Sequence, residues 1–60
     1  MTPDTFPFWA VSESSAPDGP FTREEAFTEA AAMAAALQEP VTVFTGPAIT
    51  RWEPVGQVTA

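Results

Sequence analysis

Between Thr22 and Pro40 the chain reads TREEAFTEAAAMAAALQEP, a stretch that leaves little choice but one helix. Thr22-Arg23-Glu24-Glu25 has the spacing of a capping box, in which the Thr22 hydroxyl accepts from the Glu25 N–H and the Glu25 carboxylate accepts from the Thr22 N–H. Phe21 stands at the staple position before the cap, and Glu24 and Glu25 suit the positive end of the helix dipole. Seven alanines between residues 26 and 36 add high intrinsic propensity. The pattern predicts a helix to about Gln38, ended by Pro40. At 100° per residue, Ala26, Ala30, Met33 and Leu37 share one stripe, with Phe27 and Ala34 on its shoulder. Glu25, Glu29, Ala32 and Ala36 lie opposite. A single helix with an inner stripe of small residues covers one face of a sheet at close range, and only one.

The flanking segments read as strands. In TFPFWAVSE, Phe6, Phe8 and Ala10 point one way and Trp9 and Val11 the other, which predicts a strand over residues 6–12. Pro7 belongs at its beginning or on an edge. SSAPDGP is dense in turn formers and is expected to be a connection. After the helix, Val41 to Thr45 reads as a second strand, Gly46-Pro47 as a two-residue turn, and Ala48 to Glu53 as a third. That register sets Val41 opposite Trp52, Val43 opposite Thr50 and Phe44 opposite Ile49. One face then holds Val41, Val43 and Trp52; the other holds Thr42, Phe44, Ile49 and Arg51, and is left exposed as a binding surface unless the register differs. The tail PVGQVTA adds a short edge strand at 55–58.

The expected fold is therefore α+β: a single small domain over residues 1–60, β-α-β-β with an optional fourth strand, one helix packed on a mainly antiparallel sheet. The strands joined through the helix should run parallel, and the sheet becomes fully antiparallel if the third lies between them.

Composition narrows the chemistry. Eleven of the apolar residues are Ala, leaving five Phe, five Val, two Trp, two Met, Ile49 and Leu37 to build a core. Sixty residues lie near the lower limit for folding without disulfides, metals or partners. There is no Cys, His, Lys or Tyr. Thiolate, imidazole, Schiff-base and phenolic chemistry are thereby excluded, and with them the commonest metal ligands. The hydroxyls have no His or Lys to activate them, and a chain this short has little room for a pocket that tunes two carboxylates. An enzyme is not expected, and neither is a cofactor or metal.

Eight acids against two Arg give a net charge of −6. Phosphate backbones and anionic membrane surfaces demand the opposite sign, so neither direct nucleic-acid binding nor membrane binding is expected. An acidic surface suits a basic partner, or serves solubility alone. MTPDTFPFWAV lacks the basic start and apolar run of a secretory signal, and no stretch approaches the ~20 apolar residues of a membrane span. A cytoplasmic location is the default expectation, the host's cytoplasm if the gene belongs to a phage.

The candidate partner-binding residues follow. Asp18, Glu24, Glu25 and Glu29 surround the helix start, where Glu25 and Glu29 stand about 6 Å apart along the axis, a spacing near that of backbone phosphates. Capping and dipole complementation account for part of this set, and for Glu25 most of all. Glu13, Glu39 and Glu53 lie at element ends and matter only if folding gathers them with the others. Trp9 and Trp52 suit either an interface or the core of a core-poor domain, with the core the more expected. Phe44, paired with Ile49 on the uncovered face, is balanced between the two.

Two resemblances attach to these residues. GPFTREEAFTEAAAMAAAL between two strands resembles the helix start of sporulation-related repeat domains, over about a third of the chain; the second half of that fold has no counterpart here. In size, acidity and lack of catalytic motifs the whole chain is similar in type to the small acidic anti-CRISPR proteins of phages and mobile elements, type I-C inhibitors among them. That resemblance implies a DNA-mimic inhibitor occupying a basic DNA-binding site on a CRISPR surveillance complex, and carries no motif from which residues could be transferred. Alongside it stands a second expectation: a protein–protein interaction module, monomer or weak homodimer, using Phe44 and Ile49 on an exposed apolar sheet face, with Trp52 as an optional addition.

Overall fold

The computed structural model describes residues 6–59, with the side chain of Ile49 outside the described atoms. Its elements are β1 (Phe8–Ser12), β2 (Ser15–Phe21), α1 (Arg23–Leu37), β3 (Val41–Thr45), a 3-10 turn (Ile49–Arg51) and β4 (Glu53–Val58). The strands form one sheet in the order β2-β1-β3-β4, each neighbouring pair antiparallel, with α1 against one face. The α+β class, the single helix and the antiparallel sheet are as expected. The path between them differs in two places.

The first difference is β2. SSAPDGP, expected as a connection, supplies most of a strand that turns back at Glu13-Ser14 and pairs with β1. Its turn-forming residues are tolerated because β2 is an edge. Pro17 and Pro20 lack an N–H, which costs an edge strand nothing on its open side. The pairing Phe8↔Phe21, Ala10↔Asp18, Ser12↔Ser15 has β2 advance three residues for every two of β1, so the strand is bulged twice. At the hairpin end the buried Ser12 hydroxyl lies 2.8 Å from that of Ser15. Because β2 reverses the chain before the helix, the parallel strands joined through α1 are β2 and β3. β1 lies between them and pairs directly with β3, through Trp9↔Phe44 and Ala10↔Val43. The expected parallel relation between the strands at 6–12 and 41–45 does not hold: they are adjacent and antiparallel, because the unforeseen β2 supplies the strand that enters the helix.

The second difference is the register after β3. No strand runs over 48–53 from a two-residue Gly46-Pro47 turn. Residues 46–52 form a longer connection containing the 3-10 turn, in which the Arg51 N–H donates to the Ala48 carbonyl at 2.9 Å. The tail forms the partner strand instead, with Val41↔Val58, Thr42↔Gln57, Val43↔Gly56, Phe44↔Pro54 and Thr45↔Glu53, and a bulge between Gly56 and Pro54. This register sets Val58 beside the helix-side core and leaves Glu53 in solvent. The proposed oppositions of Val41 with Trp52, Val43 with Thr50 and Phe44 with Ile49 do not occur.

The core is built of short side chains. Phe8, Ala10, Val41 and Val43 from the sheet meet Ala26, Ala30 and Ala34 from α1, and Phe21, Phe27, Met33 and Val58 close its margins. The helix contacts the sheet along the i, i+4, i+8 row of alanines, so its backbone approaches to within a methyl group of the strands. Leu37 falls off that row and is 40% exposed, whereas Ala34, expected on the shoulder, is buried. Arg23 sets its guanidinium carbon 4.7 Å from the centroid of the Phe8 ring, a cation–π contact that roofs the largest core side chain.

Both halves of the capping box form. The Glu25 N–H donates to the Thr22 hydroxyl and the Thr22 N–H to a Glu25 carboxylate oxygen, each at 3.2 Å. At the other end Gln38 takes a left-handed conformation (φ 56°) and its N–H donates to the Ala34 carbonyl at 2.8 Å. Removing the cap with Thr22→Ala should destabilise the domain by about 1 kcal/mol, lowering the melting temperature by roughly 4–8 °C on a dichroism melt.

Candidate functional site

The helix-free face of the sheet carries a cluster of aromatic rings. Trp9 on β1 and Phe44 on β3 are directly opposed, and strand alternation turns both away from the core that holds Phe8, Ala10 and Val43. Trp52 arrives from the connection after the 3-10 turn, in extended conformation (φ −75°, ψ 145°), and bridges the pair. Its ring centroid lies 5.4 Å from that of Trp9 and 5.8 Å from that of Phe44, the latter stacked with an interplanar angle of 21°. These separations fall within the range of favourable ring pairs.

Two glycines permit the cluster. A Cβ on Gly19 of β2 would lie 2.8 Å from Trp9 Cε3, so the Trp9 ring occupies the space of a missing side chain. A Cβ on Gly46 would lie 2.5 Å from the Arg51 carbonyl oxygen and 3.0 Å from Trp52 Cα. Only a residue without a side chain lets the connection fold back that closely and set Trp52 over the sheet. Trp9, Phe44 and Trp52 are each half-buried, supported from below and open above.

A groove lies at each end of this ring cluster. One is lined by Val11, Thr42, Phe44 and Gln57 together with the carboxylates Glu13 and Glu39. The Ser14 hydroxyl donates to Glu39 Oε1, which orients that carboxylate, and Gln57 Nε2 donates to the Thr42 hydroxyl at 3.4 Å. The other groove is lined by Phe6, Thr45, Arg51, Trp52 and Glu53. There the Thr45 hydroxyl donates to the Pro7 carbonyl at 3.0 Å, tying the start of the described chain to β3.

The acids singled out at the helix start divide. Glu24, Glu25 and Glu29 line one shallow depression with Phe21, Thr22 and Thr28. Asp18 stands on β2, paired with Ala10, and is not among the residues of that depression. Glu25 is engaged in the cap. Glu13 and Glu39 are brought together, but at the opposite end of α1 from Glu24, beside the aromatic face.

The structure brings Phe44 and Trp52 together, although the expected register had them on opposite faces. Trp9 was missed as a member of the same group. Its signal was the alternation of FWAV, in which Trp9 has the parity opposite to Phe8. Among the described residues no three His, Cys, Asp or Glu side chains are grouped to hold a metal ion, and no helix is long and apolar enough to cross a membrane. What this arrangement offers is ring faces, a few hydroxyl and amide groups, and carboxylates at the margins. No protein-family model, curated protein or solved structure matches the chain.

Proposed function

We propose that the chain is a non-catalytic binding protein whose contact surface is the helix-free face of its sheet. The observation that supports this reading is the mutual contact of Trp9, Trp52 and Phe44 outside the core, half-open to solvent. The helix-side core closes without them. Rings held rigidly by neighbours and glycines lose little entropy on binding, and Trp is the residue most enriched among interface hot spots.

A second reading rests on charge. The chain carries a net −6, and Glu24, Glu25 and Glu29 line one depression on adjacent turns of α1. An inhibitor of a nucleic-acid-binding protein that occupies its basic DNA site, as anti-CRISPR proteins of this type do, would use such a surface.

One experiment separates the two. The tagged protein is used to capture partners from a lysate of its own host cell, beside the pairs Phe44→Ser/Trp52→Ala and Glu24→Lys/Glu29→Lys, each checked for retained helical dichroism. The sheet-face reading expects capture of a given band to be lost, by tenfold or more, only with the first pair. Loss only with the charge reversal would transfer the site to the helix start.

A further inference from the structure

We infer that the helix-free face takes an extended basic peptide, with Arg or Lys side chains lying on the Trp9–Trp52–Phe44 rings and reaching the carboxylates at the margins. This rests on the sheet-face reading above and names the chemistry of its partner. Three kinds of occupant suit exposed rings on a sheet, and electrostatics divides them.

Stacked nucleobases are the first, since single-stranded nucleic acids lie on aromatic sheet faces in this way. Their phosphates need Lys or Arg around the rings. Here the grooves at the two ends of the cluster are lined by one arginine, Arg51, and three carboxylates, Glu13, Glu39 and Glu53. A second copy of the chain is the next. It would bring another net −6 and, across a two-fold axis, the same carboxylates against the same surface.

A cation is attracted by every feature that repels the other two. Trp is the strongest cation–π acceptor among the aromatic side chains, and a cation placed on a half-buried ring beside carboxylates gains from both. The protein already uses this chemistry on its other side, where Arg23 covers Phe8.

The spacing indicates an extended segment. The two grooves open at Thr42 and at Thr45 of β3, three residues apart along one strand. At roughly 3.3 Å per residue that is about 10 Å, close to the roughly 13 Å between the first and third of three basic residues at alternate positions of an extended peptide, whose side chains all turn to one face. One such side chain reaches Glu13 and Glu39, the next lies over the rings, and a third reaches Glu53.

The test follows Trp fluorescence while the whole protein is titrated with the peptide acetyl-Gly-Arg-Gly-Arg-Gly-Arg-Gly-amide. The controls are the same peptide with Glu for Arg, and a ten-nucleotide oligothymidine. Saturable binding of the Arg peptide alone is expected, weakening several-fold between 20 and 300 mM salt as screening shortens the range over which the carboxylates attract it. The decisive comparison is between two pairs of equal charge change. Glu13→Gln/Glu39→Gln should weaken binding about tenfold, and Glu24→Gln/Glu29→Gln less than about twofold. Trp52→Leu, which keeps an apolar side chain in place, should weaken it by a similar tenfold.

Equal losses from the two carboxylate pairs would reduce the effect to general attraction by an acidic protein and overturn the inference. So would tighter binding of oligothymidine, or a dimeric mass in sedimentation that the Phe44→Ser variant abolishes. If the Arg peptide fails to bind while Phe44→Ser/Trp52→Ala still abolishes capture from lysate, the basic partner is wrong and the sheet-face reading stands. If that pair leaves capture intact, the sheet-face reading itself fails.

Discussion

Replacing Phe8 by alanine is expected to leave the chain unfolded at 25 °C. Among the described residues Phe8 is the one aromatic side chain that is fully buried; its companions there are valines and alanines. Truncating a buried Phe to Ala costs about 3–5 kcal/mol. A domain of this length holds about 3–9 kcal/mol in total at 0.05–0.15 kcal/mol per residue, so the loss is comparable to everything that keeps it folded. The change also removes the ring beneath the Arg23 guanidinium. The alanine row of α1 has no longer side chain with which to fill the space. Far-UV dichroism against urea should show no folded baseline for Phe8→Ala, while Phe6→Ala, at a 41% exposed position, stays within about 0.5 kcal/mol of the parent. A cooperative transition for Phe8→Ala near that of the parent would mean that the core lies elsewhere.

The second large effect concerns the site. Gly46→Ala should displace the 46–52 connection and unseat Trp52 without unfolding the helix. The new methyl would stand 2.5 Å from a backbone carbonyl oxygen, which cannot rotate away as a side chain can. Relief requires the 3-10 turn to move outward, at a cost of about 1–3 kcal/mol. Trp52 leads directly out of that turn, so its stacking on Phe44 and contact with Trp9 should be lost together. In a Trp9→Phe background, which isolates Trp52, emission should shift to the red on Gly46→Ala while helical dichroism is retained. Unchanged emission would show that the turn is not held by its approach to Gly46. The same variant should impair binding at the sheet face with all three ring-bearing residues intact in the parent background, separating their position from their presence.

The parts of the fold legible in the sequence share one character. The capping box, the alanine run and Pro40 act within a few residues, and they place α1 to within a residue of its observed ends. The alternation in FWAVS and VTVFT likewise sorts Phe8, Ala10, Val41 and Val43 from Trp9 and Phe44 with no knowledge of their partners. A single helix then requires one sheet face to remain uncovered, and that face was legible too.

What local pattern could not show was pairing. PDGP has every mark of a turn, yet it forms an edge strand because β1 offers it a partner and an edge does not need the missing proline N–H groups. Gly46-Pro47 resembles a tight turn, but the choice between partner segments 48–53 and 53–58 depends on which buries Val58 and on how closely residue 46 can be approached. Leu37 fits the helical stripe on a wheel and is exposed because the sheet is met along the alanine row instead.

The site divides in the same way. Its residue types, two Trp and a Phe in a very acidic chain without His, Cys, Lys or Tyr, were determined by the sequence, as were the helix and the surplus sheet face. The convergence of Trp9, Phe44 and Trp52, and the gathering of Glu13 with Glu39 beside them, were decided only by the tertiary structure. Helix capping and strand alternation are settled between neighbours in the chain. Register and ring contact are settled between different elements, as between Trp9 and both Phe44 and Trp52, where the deciding quantity is the space left by Gly19 and Gly46.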